Sequence, residues 1–151
     1  VLNEELLERL KKSKITLSIQ PSFYQSDKFW AHKMIGQNRM KYSYAWKSLF
    51  DTGCPVICGS DAPIDEINPI IGINNALTRG DNENLTLNDA ILGYTINGTV
   101  VTDSFSNSGV LSLGKFANFI LLSNDIFKAN ISEIENIKVE KTYIKGELLG
   151  L

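Results

Sequence analysis

The stretch Cys54-Pro55-Val56-Ile57-Cys58-Gly59-Ser60-Asp61-Ala62-Pro63 constrains this chain more than any other. Val56 to Cys58 is a short apolar run of the kind that forms a buried strand, and Gly59-Ser60-Asp61 ends it abruptly. Pro63 has no N–H to offer a ladder, so pairing stops before it. A carboxylate therefore stands at the C-terminal end of a buried strand, which is where α/β proteins place their catalytic groups. The plainer reading of Asp61 is a turn or N-cap aspartate.

Upstream, Leu6, Leu7 and Leu10 fall at helical spacing within residues 3–12, with Lys11, Lys12 and Lys14 where cations suit the helix dipole. Ile15, Leu17 and Ile19 then alternate with Thr16, Ser18 and Gln20, a period-2 strand that Pro21 stops. From Ser22 to Asn38 the chain reads as a long loop carrying Phe23, Tyr24, Phe29 and Trp30. Loops of that length inside a compact domain are usually functional, although these aromatics equally suit plain packing. His32, the single histidine, lies in this loop and reads as a non-ligand, because a zinc site takes at least about three protein ligands. Tyr42, Ala45, Trp46 and Leu49 predict an amphipathic helix with Gly53 as its C′ residue. Arg39 falls at the start of that helix, where a positive charge opposes the dipole. The mismatch points to a partner carboxylate or an anionic substrate group, against the plainer reading of a solvated arginine.

Beyond the central strand, Asn68 as N-cap and Pro69 at N1 open a helix bearing Ile70, Ile73 and Leu77, closed by Gly80. Thr86 caps another, with Asp89 at N3 and Leu87, Ile91 and Tyr94 on one face, closed by Gly98. From Gly109 the texture changes to β: Phe119 to Leu122 is a continuous apolar run, and Lys145-Gly146 is a turn signal within Val139 to Leu149. Cys54 and Cys58 flank a strand, so their Cα atoms lie roughly 13 Å apart. A disulfide needs about 4.4–6.8 Å, so both read as small buried residues. The sequons at Asn84, Asn97 and Asn130 carry little without evidence of secretion.

A hydrophobic fraction of 43% and a charged fraction of 21% over 151 residues fit one globular unit with a real core. The net charge of −2 makes no electrostatic case for nucleic acid or an anionic membrane. No apolar run approaches the roughly 20 residues that span a bilayer. No signal peptide is evident, and the expectation is a cytoplasmic protein.

Five segments follow one another in a telling order: Ser18-Ile19-Gln20-Pro21-Ser22-Phe23, Ser26-Asp27, Tyr44-Ala45-Trp46-Lys47-Ser48-Leu49, Gly59-Ser60-Asp61-Ala62-Pro63, and Gly109 through Gly114-Lys115. Together they resemble the metal-dependent amidohydrolases, and within them the amidohydrolase-3, or YtcJ-like, branch. The resemblance covers nearly the whole chain. It implies an α/β fold: the C-terminal fragment of a (β/α)8 TIM-type barrel, about its last two βα units, in residues 1–108, then part of a small β-sandwich in residues 109–151. The stretch from Gly114 to Phe119 is similar to the Gly-Lys-x-Ala-Asp segment that leads back to the sandwich, with Asn118 in place of the usual Asp.

The resemblance further implies one or two divalent metal ions, zinc above all, at the barrel mouth of the complete enzyme. They are held by a His-x-His pair on the first strand, further histidines on middle strands and the Asp after the eighth strand. The metal lowers the pKa of a water toward about 7. The Asp takes the proton from that water and passes it to the leaving nitrogen. Asp61 matches this position, as catalytic base and as metal ligand. Gln20 matches a polar residue at the end of the seventh strand, and Ser60 and Arg39 are further substrate-binding candidates.

The chain has no His-x-His, and one histidine does not replace the missing ligands. The expectation is thus a complete protein that hydrolyses C–N bonds of small-molecule amides, and an isolated chain that holds no metal and is inactive. An alternative is a remnant serving as an assembly or binding module. Either way, strand edges left unpaired favour a homo-oligomer. A third reading makes Asp61 purely structural.

Overall fold

The computed structural model describes residues 1–102, 104 and 106–150. Helix α1 (Glu4–Leu10) is capped by Asn3, whose Oδ1 accepts the Leu6 N–H at 2.8 Å. Strand β1 (Leu17–Ile19) follows, and it pairs in parallel with β2 (Val56–Cys58), Leu17 opposite Val56 and Ile19 opposite Cys58. The ladder runs one residue further, since the Gly59 N–H donates to the Ile19 carbonyl at 3.1 Å. The α-β step and the central strand are therefore both present, the first strand shorter than the alternation suggests and the central one buried at Val56 and half-buried at Ile57 and Cys58. Among the described residues neither strand has another sheet partner.

Between β1 and β2 the structure corrects two expectations. The span from Ser22 to Asn38 is not an irregular loop. It folds into α2 (Phe23–Asp27), α3 (Ala31–Ile35) and α4 (Gln37–Met40). Helices of four or five residues are too short to show a 3.6-residue period, which is why the pattern does not announce them. Gly36, at φ +77°, separates α3 from α4.

The helix expected from Tyr42 starts only at Trp46, as α5 (Trp46–Phe50). The cause is Arg79, 2% exposed, whose guanidinium takes the carbonyls that would open that helix. Its Nε donates to Tyr44 O at 3.2 Å, and its Nη2 donates to Ser43 O at 3.0 Å and to Met40 O at 3.4 Å. Tyr44 itself turns to φ +52°. Arg39 consequently does not sit at a helix start. It lies in the last turn of α4, where a cation complements the dipole, and its Nε donates to Ile35 O at 2.6 Å.

Helix α6 (Pro69–Leu77) begins as its sequence demands, with Asn68 Oδ1 accepting from Ile70 N–H at 3.1 Å and Pro69 at N1. Helix α7 (Leu87–Tyr94) is capped by Thr86, whose Oγ1 accepts the Asp89 N–H at 3.1 Å. Gly98 does not close α7; it lies within a 3₁₀ turn, Ile96–Val100. Helix α7 packs on β2 through Gly93, where a Cβ would come within 2.5 Å of Cys58 Sγ. Trp46, Val56, Ile70, Ile73 and Ala76 form the buried centre. Ile134 of α8 (Ile131–Ile134) and Ile137 join the same core, with α8 packed on α6.

The remaining sheet is antiparallel, in the order β3 (Phe119–Leu122), β4 (Val139–Ile144), β5 (Glu147–Leu148). Lys145 at φ +53° and Gly146 at φ +85° make its tight hairpin turn, which needs positive φ at both central positions. Asn118 supports that turn, its Oδ1 accepting the Lys145 N–H at 2.8 Å. Cys54 and Cys58 are free thiols. Among the described residues no helix is long and apolar enough to cross a membrane.

Candidate active site

Parallel pairing brings the C-terminal ends of β1 and β2 side by side, so Gln20 and Gly59-Ser60-Asp61 leave the sheet at the same end. Asp61 is exposed and adopts φ +53°, a backbone state that Asp and Asn tolerate better than other side chains. Its carbonyl accepts the Ile64 N–H at 3.0 Å, closing the turn. Among the described residues no hydrogen bond or ion pair holds its carboxylate. An aspartate serving only as a cap would show its oxygens on backbone N–H groups, and the cap of the next helix is Asn68 instead.

Ser60 is half-buried and lines a cavity of about 190 Å³ with Ser22, Glu66, Asn68 and Tyr94. Gln20, also half-buried, lines a separate cavity of about 410 Å³ along the open edge of β1, with Leu17, Phe23, Tyr44 and Trp46. Its Nε2 lies 3.4 Å from Ser18 Oγ, a weak bond that leaves the amide free to turn to another partner. Arg39 lines neither cavity. The structure thus gathers Gln20, Ser60 and Asp61 at one end of the sheet and leaves Arg39 on the adjoining helical segment.

Two neighbours escaped the sequence reading. Tyr94 is wedged between α6 and the tip of β2, its phenol so close to Gly72 that a Cβ there would lie 1.9 Å from Oη. Burial pushes its pKa up, reinforced by Cys58 and Asp65, so the phenol stays neutral. Asp65 keeps Oδ2 buried with no hydrogen-bond partner. The Asp65-Glu66 pair two residues after Pro63 is the signal that marks this acidic turn.

Among the described residues no group of three or more His, Cys, Asp or Glu side chains is gathered to hold a metal ion. His32, in α3, has its Nδ1 3.3 Å from the carbonyl of Lys28 at the end of α2. The Cys58 thiol is pushed up to about 12 by burial, so it keeps its proton at neutral pH, and only the thiolate binds metals. Asp61 presents an unpartnered carboxylate at the strand end, and by itself it does not make a metal site.

The sequence profile of the amidohydrolase family matches residues 1–149. The chain is 32% identical over 160 residues to the YtcJ protein of Bacillus subtilis, covering 99% of this chain and 30% of that one. It is 28% identical over 110 residues to an N-substituted formamide deformylase of Arthrobacter pascens, covering 68% of this chain and 20% of the other. An uncharacterised metal-dependent hydrolase from Pyrococcus horikoshii superimposes with a TM-score of 0.79 at 28% identity, over 87% of this chain and 29% of that one. The chain therefore spans about a third or less of each of these relatives.

Proposed function

The chain belongs to the amidohydrolase family, and we propose that it supplies the C-terminal part of a metal-dependent hydrolase of amide-type C–N bonds in small molecules. The observation that carries this is Asp61: an exposed carboxylate at the end of a parallel strand pair, with no structural partner among the described residues. In this reading residues 1–108 are the end of a (β/α)8 barrel and residues 109–151 part of its β-sandwich, in a cytoplasmic enzyme. The similarity to a Pyrococcus horikoshii metal-dependent hydrolase supports the metal, for which zinc is the proposed ion.

Asp61 is the residue of this chain that would face that metal, with the remaining ligands outside these residues. When bound, the metal would make a water molecule acidic near neutral pH. The chain's own part is proton transfer. The Asp61 carboxylate takes a proton as the substrate carbonyl is attacked and returns it to the departing nitrogen. Gln20 and Ser60 flank it and orient the substrate by hydrogen bonds, while Arg39 stands further out.

An N-substituted formamide is the first substrate to try, given the similarity to the Arthrobacter pascens enzyme. The complete protein should hydrolyse it, lose the activity to a chelator and regain it with zinc. Failure on a panel of formyl, acetyl and cyclic amides would leave the assembly-module reading in its place. Isolated from any further barrel strands, the chain should self-associate. The open edge of β1 and exposed apolar side chains such as Ile67 (80%) and Met34 (72%) lack cover. Light scattering at micromolar concentration checks this, and a monodisperse monomer would contradict it.

A further inference from the structure

The turn that carries Asp61 is held by few contacts. The Ile64 N–H donates to the Asp61 carbonyl at 3.0 Å, and from Asp61 to Ile67 every residue is exposed except one. Ile64 and Ile67 stand 68% and 80% exposed, whereas the half-buried residue is Asp65. That reverses the usual order, in which isoleucine goes inward and aspartate stays in water. The Asp65 side chain is turned in so far that its Oδ2 is buried, and among the described residues that oxygen accepts no hydrogen bond and the carboxylate joins no ion pair. A buried carboxylate oxygen is costly unless something donates to it, so its inward position calls for a donor.

The donor within its electrostatic reach is the phenol of Tyr94, the last residue of α7. Burial raises the Tyr94 pKa, and Cys58 and Asp65 reinforce the rise, so the phenol keeps its proton and remains a donor. Packing fixes its ring. A Cβ on Gly72 of α6 would lie 1.9 Å from Tyr94 Oη and 2.6 Å from Cζ, so the glycine leaves the room that the phenol takes. Tyr94 also lines the cavity of about 190 Å³ together with Ser60, the residue before Asp61, and Glu66, the residue after Asp65. It is therefore placed beside both ends of the turn. Among the described residues its hydroxyl makes no hydrogen bond. An unpaired donor and an unpaired acceptor thus stand at the same turn.

We propose that Tyr94 and Asp65 form a latch: the phenol donates to the buried carboxylate oxygen, directly or through one water in the cavity, and holds the turn so that Asp61 faces the C–N bond to be broken. Both are positioning residues, since neither touches the reacting atoms, and the inference rests on the hydrolase reading and deepens it. The cavity is polar and, at about 190 Å³ against the roughly 30 Å³ that a water takes in the liquid, large enough for such a bridge. Asp61 depends on the latch because, among the described residues, no hydrogen bond of its own fixes its carboxylate. Misplacing a reacting group by about 1 Å costs on the order of 10²-fold in rate. Asp65 is the one inward-turned residue through which the fold can grip this turn.

The test is made on the complete, metal-loaded protein with Tyr94→Phe, which keeps the ring on Gly72 and removes only the hydroxyl. On an amide that turns over, kcat should fall about 10–100-fold while KM stays within about twofold. Asp65→Ala should fall as far, and the double variant no more than about threefold further, as for two residues that act through one contact. Asp65→Asn still presents an oxygen to the phenol and should keep at least about a third of the kcat. A second readout needs no substrate. Amide exchange at Ile64, whose N–H closes the turn, should speed at least about fivefold in Tyr94→Phe, while Val56 to Cys58 exchange as before. The Tyr94→Phe results stand even where Asp65→Ala folds poorly. An unchanged kcat, losses that multiply in the double variant, or Ile64 exchange that does not move would each overturn the proposal. If no amide turns over while Ile64 exchange responds as expected, the contact is upheld and the hydrolase reading alone fails.

Discussion

Asp61→Asn in the complete protein should lower kcat by about 10²–10⁴-fold, the usual worth of general acid–base assistance. The melting temperature should move by no more than about 2 °C, as for surface changes that touch no packing. Both halves follow from the same geometry. Asp61 is exposed and its carboxylate has no partner among the described residues, so the fold loses nothing when one oxygen becomes an amide. Its backbone sits at φ +53°, which Asn adopts as readily as Asp, so the turn survives. What disappears is the basic oxygen. Near-normal turnover in the variant, or a large loss of stability, would return Asp61 to the role of a structural turn residue.

Arg79→Met should cost about 3–4 kcal/mol, read from denaturant unfolding of the complete protein. The guanidinium is buried and donates to three carbonyls, those of Met40, Ser43 and Tyr44. Methionine keeps the apolar stem but removes the donor from the Ser43 and Tyr44 carbonyls, while Met40 O keeps the Ser43 N–H, and each buried unpaired group costs about 1–3 kcal/mol before relaxation. The ion pair with Asp81 adds little to this figure, because that carboxylate is 81% exposed and screened by solvent. Arg79→Lys should recover only part of the loss, since an ammonium cannot fork across several carbonyls. A loss below about 0.5 kcal/mol in Arg79→Met would show that the 40–44 turn holds itself.

The parts of this fold that local chemistry dictates are legible in the sequence. Asn68-Pro69 and Thr86 with Asp89 start their helices as capping rules require. Lys145-Gly146 turns its hairpin, and Val56 to Cys58 is a strand, with Val56 fully buried and Ile57 and Cys58 partly so. What the sequence hides is decided by distant partners. The start of α5 is displaced because Arg79, thirty-odd residues later, takes the carbonyls around Tyr44. Helices α2 to α4 are too short to carry a period. The site divides in the same way. Asp61 stands out because a strand end and small neighbours frame it, whereas Tyr94 reaches the tip of β2 only through the packing of α7 on β2 and of its phenol on Gly72. The placement of Arg39 failed for the same reason as α5, since both depended on a helix that Arg79 prevents from forming there.

The most direct measurement is metal content after exhaustive dialysis, made on the complete protein and on this 151-residue chain side by side. The complete protein should retain about one or two divalent ions, as a site with at least about three protein ligands does. This chain, whose described residues gather no group of three or more metal-ligating side chains, should retain essentially none. Stoichiometric metal in the isolated chain that is lost in Asp61→Ala, or a complete protein that holds no metal at all, would contradict the division of the site proposed for this protein.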